Sequence, residues 1–294
     1  MFPVCSSLHS LIMITPPRFA FRHLGLILAA GLALGGGSRV DAAAGDHQLL
    51  LIHDGTKVTE PLVEFLKARG GYDTTVVDQA HLPSDWSGYR AVLGYGQGQL
   101  LEPTEVAIID YTKKGGRFVA LHHMISSGKA GNKYYFDFLG IQLDDPKASS
   151  APVAPGAGYG WYTGGEGEPG VKVTLVKLHP THFIVTHDVQ WADTVHYQSS
   201  DALAVAKDYP AIVMPKAEAY MNHKFTDGRE KTVLLGFQYT DPRTHAFFEQ
   251  HRTAWFEKYG AGLIFYFQSG HFSEEYQNPN ISQMILNATI WDGR

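Results

Sequence analysis

Apolar runs closed by glycine or histidine set the pattern of this chain from residue 49 onward. Leu49-Leu50-Leu51-Ile52 is continuously apolar and stops at His53-Asp54-Gly55. A strand buried on both faces of a parallel sheet requires such a run. Leu62, Phe65, Leu66 and Ala68 follow at helical spacing behind Pro61, and Gly70-Gly71 ends that helix. Residues 74–77 and 91–93 read as strands, the second running into Gly94-Tyr95-Gly96-Gln97-Gly98. The next helix opens at Pro103, carries Val106, Ile109 and Tyr111, and stops at Gly115. The run Phe118-Val119-Ala120-Leu121 comes after it, with His122 and His123 where it ends. Strands alternating with helices over short connections predict a mostly parallel α/β sheet with right-handed crossovers.

Residues 146–170 interrupt this rhythm. Pro146, Pro152, Pro155 and Pro169, with many glycines, make a long loop that carries Tyr159, Trp161 and Tyr162. A loop of that length inside a compact domain is usually functional. Val171-Lys172-Val173-Thr174-Leu175 then alternates like a half-exposed strand. Later strands are expected at 211–214, 232–236 and 262–267, and a closing helix carries Ile281, Met284, Ile285 and Ala288. The pattern reads as one domain from residue 45 to 294 with an inserted loop.

Composition adds two points. The net charge is −5 across 294 residues, and no Lys/Arg cluster occurs, so a nucleic-acid partner is not expected. Arg18, Arg22 and His23 precede an apolar run from Leu24 to Leu34, and Ala42-Ala43-Ala44 supplies a small-residue cleavage pattern. Residues 1–44 therefore read as a signal peptide, with Met13 as an alternative start. The run falls short of the ~20 apolar residues of a membrane span. The expected protein is periplasmic or secreted, and cleavage removes Cys5, the single cysteine, leaving no thiol.

The candidate chemistry is histidine chemistry, because the nucleophile templates fail. No Gly-x-Ser-x-Gly elbow occurs. Gly94-Tyr95-Gly96 lacks the third glycine of a dinucleotide fingerprint, since Gln99 holds that place. It reads as a turn whose amides face a ligand. In an open α/β sheet ligands bind beyond the carboxyl ends of the strands. His53, His122 and His271 each follow a predicted strand. As neighbours on an extended segment, His122 and His123 are expected to point to opposite faces. The densest histidine region holds His179, His182, His187, Asp193 and His196-Tyr197. Imidazole with carboxylate suits a divalent metal such as Zn, although no His-Glu-x-x-His spacing is present.

At these residues the chain resembles the ThuA-like (trehalose-utilisation) family, a branch of the class I glutamine-amidotransferase-like superfamily. The matching pieces are Gly115-Gly116-x-Phe118-Val119-x-Leu121-His122, Tyr134-Tyr135 with Leu139-Gly140, and His179-Pro180. Trp255, Tyr259-Gly260-x-Gly262, Phe265-Tyr266 and Gly270-His271 complete the set. The resemblance implies a flavodoxin-like sheet with helices on both faces. It implies an amidotransferase nucleophile lost near His122, hence no glutamine hydrolysis, and a link to sugar metabolism beside sugar dehydrogenases that make 3-keto-glycosides. It also implies that His122, His179 and His271 match family histidines. The family's Asp-Glu-x-Tyr step is altered here to Asp193-Thr194-Val195-His196-Tyr197, and His196 stands as a replacement for the lost carboxylate.

The expectation is an exported protein acting on a glycoside or 3-keto-sugar, as a lyase, isomerase or hydrolase. The alternative is a non-catalytic sugar-binding module partnering a sugar dehydrogenase. Catalytic roles are assigned to His122, His271, Asp193 and His196, and metal ligation to His122, His179 and His271. His53, Gly96, Trp161, Tyr162 and Tyr197 are assigned to substrate binding.

Overall fold

The computed structural model describes residues 47–143, 160–162, 170–198, 205–242 and 244–293. The leader and most of the loop at 146–170 lie outside the described residues. In chain order the elements begin with β1 (Gln48–His53), α1 (Glu60–Gly70), β2 (Asp73–Val77), β3 (Ala91–Tyr95), α2 (Glu102–Lys113) and β4 (Arg117–Leu121). Two short 3-10 turns, His122–Ile125 and Ser127–Gly131, lead to α3 (Tyr135–Leu139) and β5 (Ile141–Gln142). Next come β6 (Gly160–Tyr162), β7 (Val171–Lys177), α4 (Phe183–Thr186), β8 (Asp193–Tyr197), β9 (Lys207–Ala217), β10 (Ala219–Met221) and β11 (Lys224–Phe225). The last elements are β12 (Lys231–Thr240), β13 (Phe247–Tyr259), β14 (Gly262–Phe267), α5 (Ser273–Gln277) and α6 (Pro279–Ile290).

Ten of these strands form one sheet in the order β2-β1-β3-β4-β14-β13-β12-β7-β9-β8. The pairs from β2 to β14 are parallel. Both faces of β1, β3, β4 and β14 are covered, so successive residues bury on opposite sides, while β2 at the edge stays partly exposed. Leu49 and Leu51 pack in the cluster that holds α1 and α6, while Leu50 and Ile52 pack in the cluster that holds α2 and α3. Val119 and Phe118 divide in the same way on β4. The α/β class follows from this covering.

Beyond β14 every pair is antiparallel. The strand expected at 232–236 is the first arm of a long β12–β13 hairpin, whose second arm the sequence does not predict. Its second strand, FFEQHRTAWFEKY, interleaves charged and aromatic residues, and so carried no apolar run to mark it. The consequence for the site is one of direction. Counting antiparallel steps from β14, strands β12 and β9 run with the parallel set, whereas β7 and β8 run against it.

Order 2-1-3-4 in the parallel half reverses between β1 and β3. That is the flavodoxin-like switch point, where ligands bind outside the carboxyl ends of the strands.

Candidate metal centre

β4 stops at Leu121 because His122 takes a left-handed backbone, with φ 43°. A residue with a Cβ is strained there by about 1–2 kcal/mol, and strain of this kind concentrates at functional sites. The turn also overrules the extended geometry expected for the two histidines. Their rings come together, with centroids 4.2 Å apart, instead of pointing to opposite faces. His122 is fully buried and His123 nearly so.

His271 arrives from β14 by way of Gly270, whose φ of 134° and close approach to Tyr276 leave no room for a Cβ. The Tyr95 hydroxyl donates to the Gly270 carbonyl at 2.9 Å. The buried Glu275 carboxylate accepts the Phe272 N–H at 3.1 Å. It also accepts backbone hydrogen bonds from Gly270 and His271. The fourth member, Glu218, sits between β9 and β10, at the carboxyl end of a strand running with β4.

The result is a group of His122, His123, Glu218 and His271 whose ligand atoms all lie within 4.8 Å of one another. Glu218 Oε2 is 2.7 Å from His122 Nε2 and 3.0 Å from His271 Nδ1. The two imidazole nitrogens are 3.3 Å apart. His122 Nδ1 lies against the Gln268 carbonyl, so that nitrogen carries the proton. Neutral His122 therefore turns a bare lone pair on a carboxylate oxygen at 2.7 Å. Two acceptors at that separation need a positive charge between them, either a proton or a metal ion. Three imidazoles with one carboxylate form a donor set suited to zinc and neighbouring divalent metals. The residues present fit such an ion.

Burial opposes the charge on Glu218, but where a proton bridges it to His122 or His271 the resulting hydrogen bond and positive charge hold its carboxyl below the ordinary range. Burial, reinforced by His122, pushes the His123 imidazole far down and keeps it neutral. Both shifts act in one direction. Below about pH 6.5 the unfolded chain takes a proton at His123 that the folded protein refuses. Below about pH 4.5 it does the same at Glu218. Stability from this cluster is therefore full near neutrality and declines as pH falls through these two ranges. Urea midpoints measured between pH 8 and 4 are expected to fall on the acid side. His123→Phe is expected to flatten the upper part of the decline, and a slope unchanged in that variant would refute the assignment.

The remaining sequence candidates lie elsewhere. β7 runs against β4, so its carboxyl end carries His179 away from the cluster. His179 instead packs on His182, whose ring lies 4.7 Å from Trp291, beside the amino end of β4. The metal-ligand role for His179 is corrected on this ground. Asp193, His196 and Tyr197 belong to β8, the edge strand five places from β14. His196 is exposed and pairs with Asp208 at 3.1 Å. Tyr197 is buried in a separate small cluster with Val176 and Tyr209. Asp193 and His196 thus have no place in the catalytic group, nor Tyr197 in substrate binding, because β8 forms the far edge of the sheet and runs against β4. His53 and Gly96 line a small cavity at the ends of β1 and β3. The backbone of Trp161 and Tyr162 pairs with β10, next to Glu218, and their side chains lie outside the described residues. Sequence reading missed Glu218 entirely, since Lys216-Ala217-Glu218-Ala219-Tyr220 matches no motif.

A family model described as trehalose utilisation, ThuA, matches residues 47–292. The chain belongs to the ThuA family. Among solved structures, this ThuA chain is similar to a ThuA-like protein from Bacteroides uniformis ATCC 8492. The two share 15% identity over 84% of this chain and 91% of that one, with a TM-score of 0.52. At that identity the likeness shows the fold. A β-galactosidase from Rahnella sp. R3 aligns at 13% identity over 81% of this chain but only 31% of its own, with a TM-score of 0.43. A likeness that slight says nothing of activity. No curated protein matches the chain in sequence.

Proposed function

We propose that this ThuA-family chain is an exported, metal-dependent enzyme acting on a glycoside or keto-sugar. The observation that carries the reading is the convergence of His122 Nε2, His271 Nδ1 and Glu218 Oε2 within 3.3 Å of one another. His122, His123, Glu218 and His271 would hold the ion. A bound divalent ion would polarise a substrate carbonyl or acidify a water. The chain's own groups do the rest. Gln268 fixes the His122 tautomer through its carbonyl, as the orienting partner of a ligating imidazole commonly does. Tyr220 donates to or accepts from His123 Nδ1 at 2.8 Å and holds that ring in place. His271 keeps about a quarter of its side chain in solvent, 27% against 0% for His122. It is thus the member that faces solvent, where substrate or water would meet the bound ion. Protons alpha to a keto group become more acidic when that carbonyl is polarised. The sugar class rests on the family's description and on its link to keto-glycosides.

The test is elemental analysis of tag-free protein, followed by mass spectrometry of a 3-keto-disaccharide panel with and without prior chelation. Near-stoichiometric metal and chelator-sensitive turnover are expected. Turnover that survives complete metal removal would sink the metal-dependent reading. Binding without turnover in the loaded protein would favour an accessory role beside a sugar dehydrogenase.

A further inference from the structure

A cavity of about 490 Å³ opens beside the cluster, lined by Asp54, Gln97, Gly98, Ser126, Ser127, Gly128 and Tyr220. It sits at the switch point, where the segments leaving β1 and β3 diverge. Tyr220 is shared, for its hydroxyl meets His123 while its ring lies 5.1 Å from that of His122. The walls are fixed in advance. Lys129, fully buried, donates to the carbonyls of Gly96, of Gly98 at 3.2 Å and of His123 at 2.9 Å. Gly128 packs so closely on the Gln97 carbonyl that a Cβ would collide with it. Ser126 Oγ donates to the same carbonyl at 2.5 Å. The loop after β3 and the turn after His123 are thereby locked to each other.

The polar groups on this wall have a definite character. Asp54 does not cap α1, whose N-cap is Thr59. Its Oδ2 accepts the Gln97 N–H at 2.9 Å, which aims the carboxylate, and Oδ1 has no partner among the described residues. The Ser127 hydroxyl is likewise unengaged among them. Among the described residues no lysine or arginine lines the cavity. A rim with one oriented carboxylate, hydroxyls, an amide and a phenol repels anions and matches neutral, hydroxyl-rich ligands. The volume falls in the range of small-molecule sites, roughly 300–1,000 Å³.

We infer that this cavity is the subsite for a neutral pyranose ring, and that Asp54 reads a pair of adjacent hydroxyls on it. The inference rests on the sugar reading proposed above and adds where the ring lies and which residue selects it. Binding of methyl α-D-glucopyranoside, trehalose and glucose 6-phosphate to the full chain is measured by calorimetry, with metal content determined on each sample. The neutral sugars are expected to bind and glucose 6-phosphate to bind more weakly. Asp54→Asn is expected to weaken trehalose binding about tenfold, since it removes a charge-assisted acceptor. Ser127→Ala is expected to weaken it about threefold, and metal content is unchanged in both variants. Asp54→Asn binding as tightly as the parent, a preference for glucose 6-phosphate, or no binding of either neutral sugar overturns the inference. Asp54-dependent binding with no turnover in the metal-loaded protein upholds the subsite while removing the enzyme reading.

Discussion

Glu218→Gln is expected to lower divalent-metal affinity by more than about 100-fold while leaving the protein folded. Residues that merely orient a ligand are worth about 10–100-fold in metal affinity, whereas Glu218 would be a direct donor and is the one carboxylate in the four-residue cluster. Glutamine keeps the volume, and its amide N–H can donate to His122 Nε2, which otherwise confronts a carboxylate oxygen at 2.7 Å. The metal-free variant thus gains a satisfied hydrogen bond in place of a buried charge, and its stability is expected to stay within about 1 kcal/mol of the parent. Competition titration with a zinc chelator gives the affinity, and urea unfolding after chelation gives the stability. Metal affinity that survives the substitution would exclude Glu218 as a ligand, and a large loss of stability would make its role structural.

The second large effect is expected at Glu275. Its side chain is 1% exposed, and its carboxylate gathers backbone donors of Gly270, His271 and Phe272. Burial pushes the carboxyl up to about 7, and those backbone donors work against burial. Alanine leaves the donors unpaired. A buried group left unsatisfied costs about 1–3 kcal/mol, so a loss of about 3 kcal/mol is expected after partial access of water. His271 loses its anchor as well, and metal affinity is expected to fall about 10–100-fold. Glu275→Gln retains an acceptor oxygen and is expected to recover most of both effects. Glu275 touches no ligand atom and acts only through the position of His271. Recovery of stability by glutamine without recovery of metal affinity would therefore contradict the positioning role.

The legible parts of the site were those that local pattern carries. Leu121-His122-His123 and Gly270-His271 each lie where an apolar run ends, and the covered half of the sheet makes such ends meet at one edge. Glu218 was illegible because a carboxylate between two alanines has no local signature. It joins the cluster only because β9 lies an even number of antiparallel steps from β14. His179 and His196 failed for the converse reason, since each follows or lies in a strand that runs the other way. The backbone reversal at His122 was equally hidden, because a left-handed residue that is not glycine leaves no mark in composition.

Sequence alone determined the strand–helix alternation of the first half, the burial of β1 on both faces, the family, and the absence of a thiol or serine-elbow nucleophile beyond residue 44. Those properties depend on neighbours within a few residues, where spacing and side-chain type suffice. Tertiary structure alone decided which histidines share a centre, which carboxylate joins them, and where a cavity opens beside them. These depend on strand direction, which hydrophobic periodicity does not encode because a strand reads the same whichever way it enters the sheet.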